Sequence, residues 1–342
     1  MVRGATLARF AEADEGARLK AIQCVEWGGP SRLKQVEVPA PVPGPGEVRI
    51  RVGAAGVNFP DALIIQKKYQ VQPPLPFIPG TEAAGTIDAV GAGVTSAAVG
   101  DRVVAFVGTG AFAEQVCVDA AQVMPVPAGI SDEIAASFTL TYATSQHALV
   151  ERGGLRAGEV LLVLGAGGGV GLAAVELGKR IGARVLAAAS TEEKLAAARS
   201  AGADASINYS SLDLREAVRT LTDGHGADVI YDPVGGAYTD AALRAIAWRG
   251  RLLVVGFANG EIPNIPANRL LLKEASAVGV FWGEFARRES KANRAMIAEL
   301  YGALAAGTLH PQVSHVYPLD RVPDALTALL QRHVVGKVVV RP

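Results

Sequence analysis

The sequence predicts an α/β protein in which an antiparallel, barrel-like β domain accompanies a doubly wound parallel sheet of six strands. Three observations predict it. Up to about Gln122, short extended runs alternate with glycine and proline turns. After Ser131, six apolar runs alternate with helical segments. A last extended run, Gly336–Val340, has no α/β repeat after it, which sends the tail back to the first domain. With 342 residues, half of them hydrophobic, the chain can fill two cores.

The elements follow in order. Residues Met1–Lys20 carry Arg3, Arg9 and Arg18 beside Glu12, Asp14 and Glu15, with no apolar central block. That composition fits neither a secretory signal nor an acid-poor transit peptide. They read as a disordered extension, with the fold starting near Ala21. Ala21–Val25 and Gln35–Val38 are extended runs about the turn Gly28-Gly29-Pro30. Pro39–Gly46 cannot be helix, because proline lacks the N–H and restrains its neighbours. Glu47–Ala54 alternates as a half-buried strand does, and Val103–Phe106 and Ala113–Val118 look similar.

Glu133–Arg152 then has helical periodicity. The six apolar runs are Val160–Leu164, Arg184–Ala188, Ala205–Ile207, Val229–Tyr231, Gly250–Val255 and Ala277–Val280. Helices are expected at Gly171–Ile181, Glu192–Ala201, Asp213–Leu221 and Thr239–Ile246. From Arg287 come an alanine-rich helix, a turn-rich stretch, a helix near Pro323–Leu330 and the final strand. The expected division is 21–142 with 283–342 in the β domain, and 143–282 in the parallel-sheet domain.

Charge and composition argue against several functions. Lysines and arginines number 33, as do aspartates and glutamates, so the basic footprint of a dedicated nucleic-acid binder is missing. Cys24 and Cys117 form no Cys-x-x-Cys pair, so no disulfide framework follows, and a reducing cytoplasm is the default compartment. The histidines 147, 225, 310, 315 and 333 make no His-x-x-x-His pair, and His310 and His315 read as solvated. No apolar run reaches the roughly 20 residues of a membrane span.

The most informative stretch is Leu161-Leu-Val-Leu-Gly-Ala-Gly-Gly-Gly-Val-Gly171, an apolar strand running into a helix. Such a turn lets backbone N–H groups approach a pyrophosphate at the positive end of the helix. If Gly168 and Gly171 are the second and third glycines of a Gly-x-Gly-x-x-Gly fingerprint, Ala166 takes the first position. Gly168, Gly169, Val170 and Gly171 are then the dinucleotide contacts. The match alone is weak; the strand before, the helix after and the second strand give it specificity. An NAD site places an acid at the end of that second strand, to accept from the ribose 2′-OH. Here the chain reads Ala188-Ala-Ser-Thr191. Ser190 can donate a hydrogen bond, Lys194 can supply charge to a 2′-phosphate, and Tyr209 can donate from its hydroxyl. NADPH is the expected cofactor.

With Gly56-Val-Asn-Phe-Pro-Asp61, Pro79-Gly-Thr-Glu-Ala-Ala-Gly85, Gly100-Asp-Arg-Val103, Ala166–Gly171 and Val280-Phe-Trp282, the chain resembles the zinc-free quinone oxidoreductases, zeta-crystallin-like members of the medium-chain dehydrogenase/reductases. The resemblance runs from Ala21 to the C-terminus and implies a GroES-like catalytic β-barrel domain plus a Rossmann domain. Zinc-containing relatives carry a Cys in the first motif and Gly-His-Glu in the second. Here Asn58 and Thr81-Glu82 stand instead, so these stretches supply no tetrahedral zinc site.

The same resemblance implies the roles of further residues. Asn58 lies beside the nicotinamide, where its amide orients the ribose or polarises a carbonyl. Tyr69 stands where enoyl-thioester reductases carry a proton donor, although Lys68-Tyr69-Gln70 lacks the usual Gly and Pro; a packed tyrosine is the other reading. Asp61 fixes its loop by bonding local backbone rather than performing acid–base work. Thr144, Phe257, Phe281, Trp282 and Lys337 are implied cofactor contacts. The edge run Ala277–Phe281 is expected to pair with its twin in a homodimer. The expected activity is hydride transfer from NADPH to a quinone or an α,β-unsaturated carbonyl without metal. The alternatives are an enoyl-thioester (enoyl-CoA type) reductase, or a non-catalytic NADPH-binding, crystallin-like or RNA-binding protein.

Overall fold

The computed structural model of the protein describes residues 13–342. The disorder expected of the first residues lies, for 1–12, outside the described residues. Strands β1 (Ala13–Cys24) and β2 (Leu33–Pro41) pair antiparallel as a two-stranded ribbon. The ordered fold thus reaches back before the expected start at Ala21. Leu19 and Ala21 are buried while Lys20 between them is exposed, which is the alternation of a strand. Glu114 further ties the Lys20 backbone, accepting from its N–H and donating its own N–H to its carbonyl.

Next come β3 (Glu47–Val57), α1 (Phe59–Ile65), β4 (Glu82–Val90), β5 (Arg102–Phe106), β6 (Gln115–Asp119), β7 (Val123–Pro125) and α2 (Asp132–Gln146). A parallel repeat follows: β8 (Val160–Leu164), α3 (Gly169–Ile181), β9 (Arg184–Ala189), α4 (Glu192–Ser200), β10 (Ala205–Asn208), α5 (Leu214–Leu221), β11 (Ala227–Asp232), α6 (Ala237–Leu243), β12 (Ile246–Val254), α7 (Ala267–Lys273) and β13 (Ser276–Gly279). The chain ends with α8 (Trp282–Arg288), α9 (Ser290–Ala305), β14 (Val313–Pro318), α10 (Val322–Leu330) and β15 (Lys337–Arg341). The helix expected through Ile246 stops at Leu243, and Ile246 instead opens β12 opposite Ala227.

Two compact units result: one takes the chain up to Leu140 and again from Gln312, and the other is Thr141–Pro311. In the first, a seven-stranded sheet runs β14-β15-β3-β4-β5-β7, with β6 also on β3. Its core gathers Ile22, Val48, Ile50, Ile65, Ile87, Phe112 and Val338. In the second, six parallel strands run β10-β9-β8-β11-β12-β13, the doubly wound order, with the reversal between β8 and β11.

Residues 283–311, expected with the β domain, belong instead to the second unit. The reason is side-chain anchorage within it. The Trp282 indole N–H donates to Asn293 Oδ1 at 2.9 Å, and Phe285 stacks on His147 with centroids 4.2 Å apart. Arg180 Nη1 donates to Thr308 at 3.0 Å, and the His310 N–H donates to Glu176 at 3.1 Å. Tyr142, at the expected edge of the β domain, also belongs to the second unit, where its hydroxyl bonds Glu176. Among the described residues no helix is long and apolar enough to cross a membrane.

Candidate active site

In the second unit, β8 ends at Leu164 and Gly165 turns the chain with φ +60°, a conformation glycine adopts without strain. Gly168 is the N-cap of α3. The glycines of the turn serve different purposes. A Cβ on Gly171 would lie 2.2 Å from the Gly165 carbonyl oxygen, so Gly171 lets the helix close onto the turn. A Cβ on Gly167 would lie 2.4 Å from Lys194 Cβ, so the stem of Lys194 runs along the turn. A Cβ on Gly168 would make only an ordinary van der Waals contact, 3.5 Å from the Gly165 carbonyl oxygen, so no protein atom crowds the head of the helix there. That cradle sits where unpaired helix N–H groups converge, and it fits a pyrophosphate.

The turn is braced from below. Ser145 Oγ donates to the Val170 carbonyl at 2.9 Å, and therefore receives the Tyr231 hydroxyl proton at 2.9 Å. Neither residue was singled out from sequence; a serine and a tyrosine within apolar runs were the available signals. Val170 and Gly169 form the first turn of α3, and Thr144 is half-buried on α2 beside Ser145.

The end of β9 carries Ala188 and Ala189, both buried, then Ser190, with no acid. Thr191 caps α4 by accepting from the Lys194 N–H at 3.4 Å. Ser210 holds the Ser190 carbonyl at 3.1 Å. Tyr209 is half-buried and its ring tilts against Tyr238 at 4.4 Å. Phe257 packs over Gly235 after β11. Phe281 is exposed at 52%, whereas Trp282 is buried with its N–H committed to Asn293.

The first unit holds a buried polar cluster. Asn58, Asp61, Thr81, Glu82 and Lys337 are all nine-tenths or more buried. Asn58 opens α1, and the Asp61 Oδ2 accepts its backbone N–H at 2.7 Å. Lys337, entering β15 opposite the end of β3, donates to the Val57 carbonyl at 2.9 Å and to Asn58 Oδ1. Asn58 Nδ2 donates to Thr81 Oγ1 at 3.2 Å and to Glu82 Oε2 at 3.4 Å. Glu82 Oε1 accepts the Leu140 N–H at 3.0 Å. The Asn58 amide is thus engaged on both sides by protein groups.

Burial raises Asp61 from the usual aspartate range to about 7, against the pull of the Asn58 N–H and the Lys337 charge. Burial likewise raises Glu82 and lowers Lys337, while the Glu82 and Asp61 charges work against burial and favour the ammonium. Tyr69 is raised by burial first and by the Asp61 charge second. Just past α1, Lys67 takes φ +59°, the Lys68 N–H donates to the Leu63 carbonyl, and Tyr69 beyond packs against the core of the first unit. Sequence reasoning named Glu82 only as a departure from a zinc motif. A carboxylate inside the apolar run Thr81-Glu-Ala-Ala was the signal that it is buried and partnered. Among the described residues no group of three or more His, Cys, Asp and Glu is placed to hold a metal ion.

The chain matches the family of the alcohol dehydrogenase GroES-like domain over residues 44–128 and that of zinc-binding dehydrogenase over 169–299. It is 39% identical to a quinone oxidoreductase-like protein 2 homolog of Nematostella vectensis, across 94% of this chain and 88% of that protein. Among solved structures it is similar to a mycobacterial protein complexed with NADPH, at 35% identity and TM-score 0.89, covering 95% of this chain and 100% of the other. It is also similar to the Escherichia coli quinone oxidoreductase complexed with NADPH, at 30% identity and TM-score 0.87, covering 95% and 99%. The fold and these matches define a medium-chain dehydrogenase/reductase. Within that class the chain belongs to the zinc-free quinone oxidoreductase family.

Proposed function

We propose that this protein is an NADPH-dependent oxidoreductase that reduces a quinone or an α,β-unsaturated carbonyl without a metal. The observation that carries the reading is the acid-free end of β9, with the Lys194 stem laid along the glycine turn at Gly167. Gly168–Gly171 hold the pyrophosphate, while Ser190 and Lys194 take the 2′-phosphate. Two similar proteins were solved with NADPH, which supports the cofactor. NADPH, when bound, supplies the hydride. We read Tyr69 as the proton donor, with Asn58 and Lys337 keeping the neighbouring backbone in place. Thr144, Tyr209, Phe257, Phe281 and Trp282 complete the cofactor contacts.

The protein works as a homodimer in this reading. Among the described residues the strand β13 has a sheet partner on one side only, and Trp248, Ile262, Leu271, Leu272 and Phe281 are each more than half exposed. The test is NADPH oxidation against a panel of quinones, enones and enoyl thioesters. Turnover of quinones or enones is expected; a preference for enoyl thioesters, or no turnover of any acceptor, refutes the assignment.

A further inference from the structure

Two carboxylates and one ammonium share the buried cluster of the first unit. Burying three charges of which only two cancel is costly, and such a site sheds the excess by binding a proton. The donor inventory shows which carboxyl binds it. Glu82 is met by the Leu140 N–H, the Thr139 N–H and the Asn58 amide, so its environment suits a carboxylate. Asp61 is met on Oδ2 by the Asn58 N–H and is also favoured as a carboxylate by the Thr81 hydroxyl, whereas Oδ1 is buried and has no hydrogen-bond partner among the described residues. An oxygen without donors is the favourable place for a proton.

We infer that Asp61 holds one exchangeable proton on Oδ1 in the resting protein and acts, through Tyr69, as a positioning residue for proton delivery. The inference rests on the reductase reading above. The groups that face Asp61 are Lys337 from β15, Glu82 and Thr81 at the start of β4, Asn58 at the head of α1, and Tyr69 from the loop after α1. The shift of Asp61 to about 7 agrees with the donor count. A neutral Asp61 spares Tyr69 the negative charge that would hold its proton back, so the hydroxyl is the better donor while Asp61 is protonated.

The balance is simple. NADPH, when bound, would supply the hydride, so that the acceptor gains two electrons and is left an anion. The Tyr69 O–H bond breaks as an O–H or C–H bond forms on that anion. Solvent then returns a proton to the tyrosinate, while Asp61 keeps its own proton and so spares Tyr69 a neighbouring negative charge. Nothing else is consumed.

Infrared spectroscopy of the cofactor-free protein tests the storage claim. At about pH 6 a protonated-carboxyl band is expected. It should shift on 13C-aspartate labelling, remain unmoved by 13C-glutamate labelling, fade near pH 7 and vanish in Asp61→Asn. No such band, or a band that moves with glutamate, overturns the inference. Should Asp61→Asn not fold, the labelling of the wild-type protein decides. The link to Tyr69 is tested by turnover. In the wild-type protein kcat should fall as pH rises through about 7, and in Asp61→Asn it should stay flat there near the wild-type low-pH value, with KM for NADPH unchanged. An unaltered profile in the variant overturns that link. Failure of the reductase reading is distinct: the carboxyl band persists while the wild-type protein turns over no acceptor.

Discussion

Lys337 and Asn58 stand 279 positions apart in the chain and meet through a hydrogen bond from the ammonium to the amide oxygen. An ammonium has only donors, so it must face Oδ1, and the Asn58 NH₂ is left for Thr81 and Glu82. The amide orientation follows from that chemistry. It also assigns Asn58 to holding the cluster together, since neither end of the amide is left over for a substrate carbonyl.

Replacing Lys337 by methionine should therefore destabilise the protein by about 3–5 kcal/mol, the cost of stranding a buried charge. Urea denaturation followed by circular dichroism measures it. A loss below about 1 kcal/mol would mean that Glu82 needs no partner.

The raised Asp61 gives stability a defined pH dependence. Its folded value lies near 7 and its unfolded value near 3.8, so between them the folded state binds the extra proton. Its contribution is complete below the unfolded value and is lost as pH rises through the folded one. Relative to Asp61→Asn, the wild-type protein should lose stability from about pH 4 to pH 7 and hold level above. Paired thermal melts across that range check the sign.

Two alanine substitutions in the glycine turn should separate folding from binding. Gly171→Ala drives a methyl into the Gly165 carbonyl and should cost about 1–3 kcal/mol of stability. Gly168→Ala meets no protein atom within 3.4 Å and should melt like the wild-type protein while losing NADPH affinity. Melting curves and fluorescence titration with NADPH distinguish the two.

Lys194→Ala should cut the preference for NADPH over NADH. A charged hydrogen bond to the 2′-phosphate is worth about 1.5–3 kcal/mol, or roughly ten- to a hundredfold in the ratio of the two affinities. Calorimetric titration with both cofactors measures that ratio, and NADH binding should barely change.

On the homodimer reading, Leu271→Asp with Leu272→Asp should yield a monomer without unfolding the protein, because both residues are more than 70% exposed in the single chain. Sedimentation velocity reads the outcome.

Much of the Rossmann unit was legible because its signals are local. An apolar strand, a glycine turn and an amphipathic helix follow one another within about twenty residues, and each spacing constrains the next. The strands β8, β9 and β11 lie where their apolar runs predicted. Other elements were illegible for a physical reason. Strand β14 is polar and largely exposed, and it is a strand because β15 offers it a parallel edge. The fold's early start in β1 depends on pairing with β2 and on Glu114.

The amino-acid sequence by itself determined the α/β class, the glycine turn and the absence of an acid at the end of β9, since all three are properties of contiguous residues. Tertiary structure alone decided that 283–311 joins the second unit and that Lys337 crosses to Asn58. It also decided that Asp61 and Glu82 share one ammonium. Burial and electrostatic pairing depend on which distant segments the fold brings together, and no spacing along the chain records that.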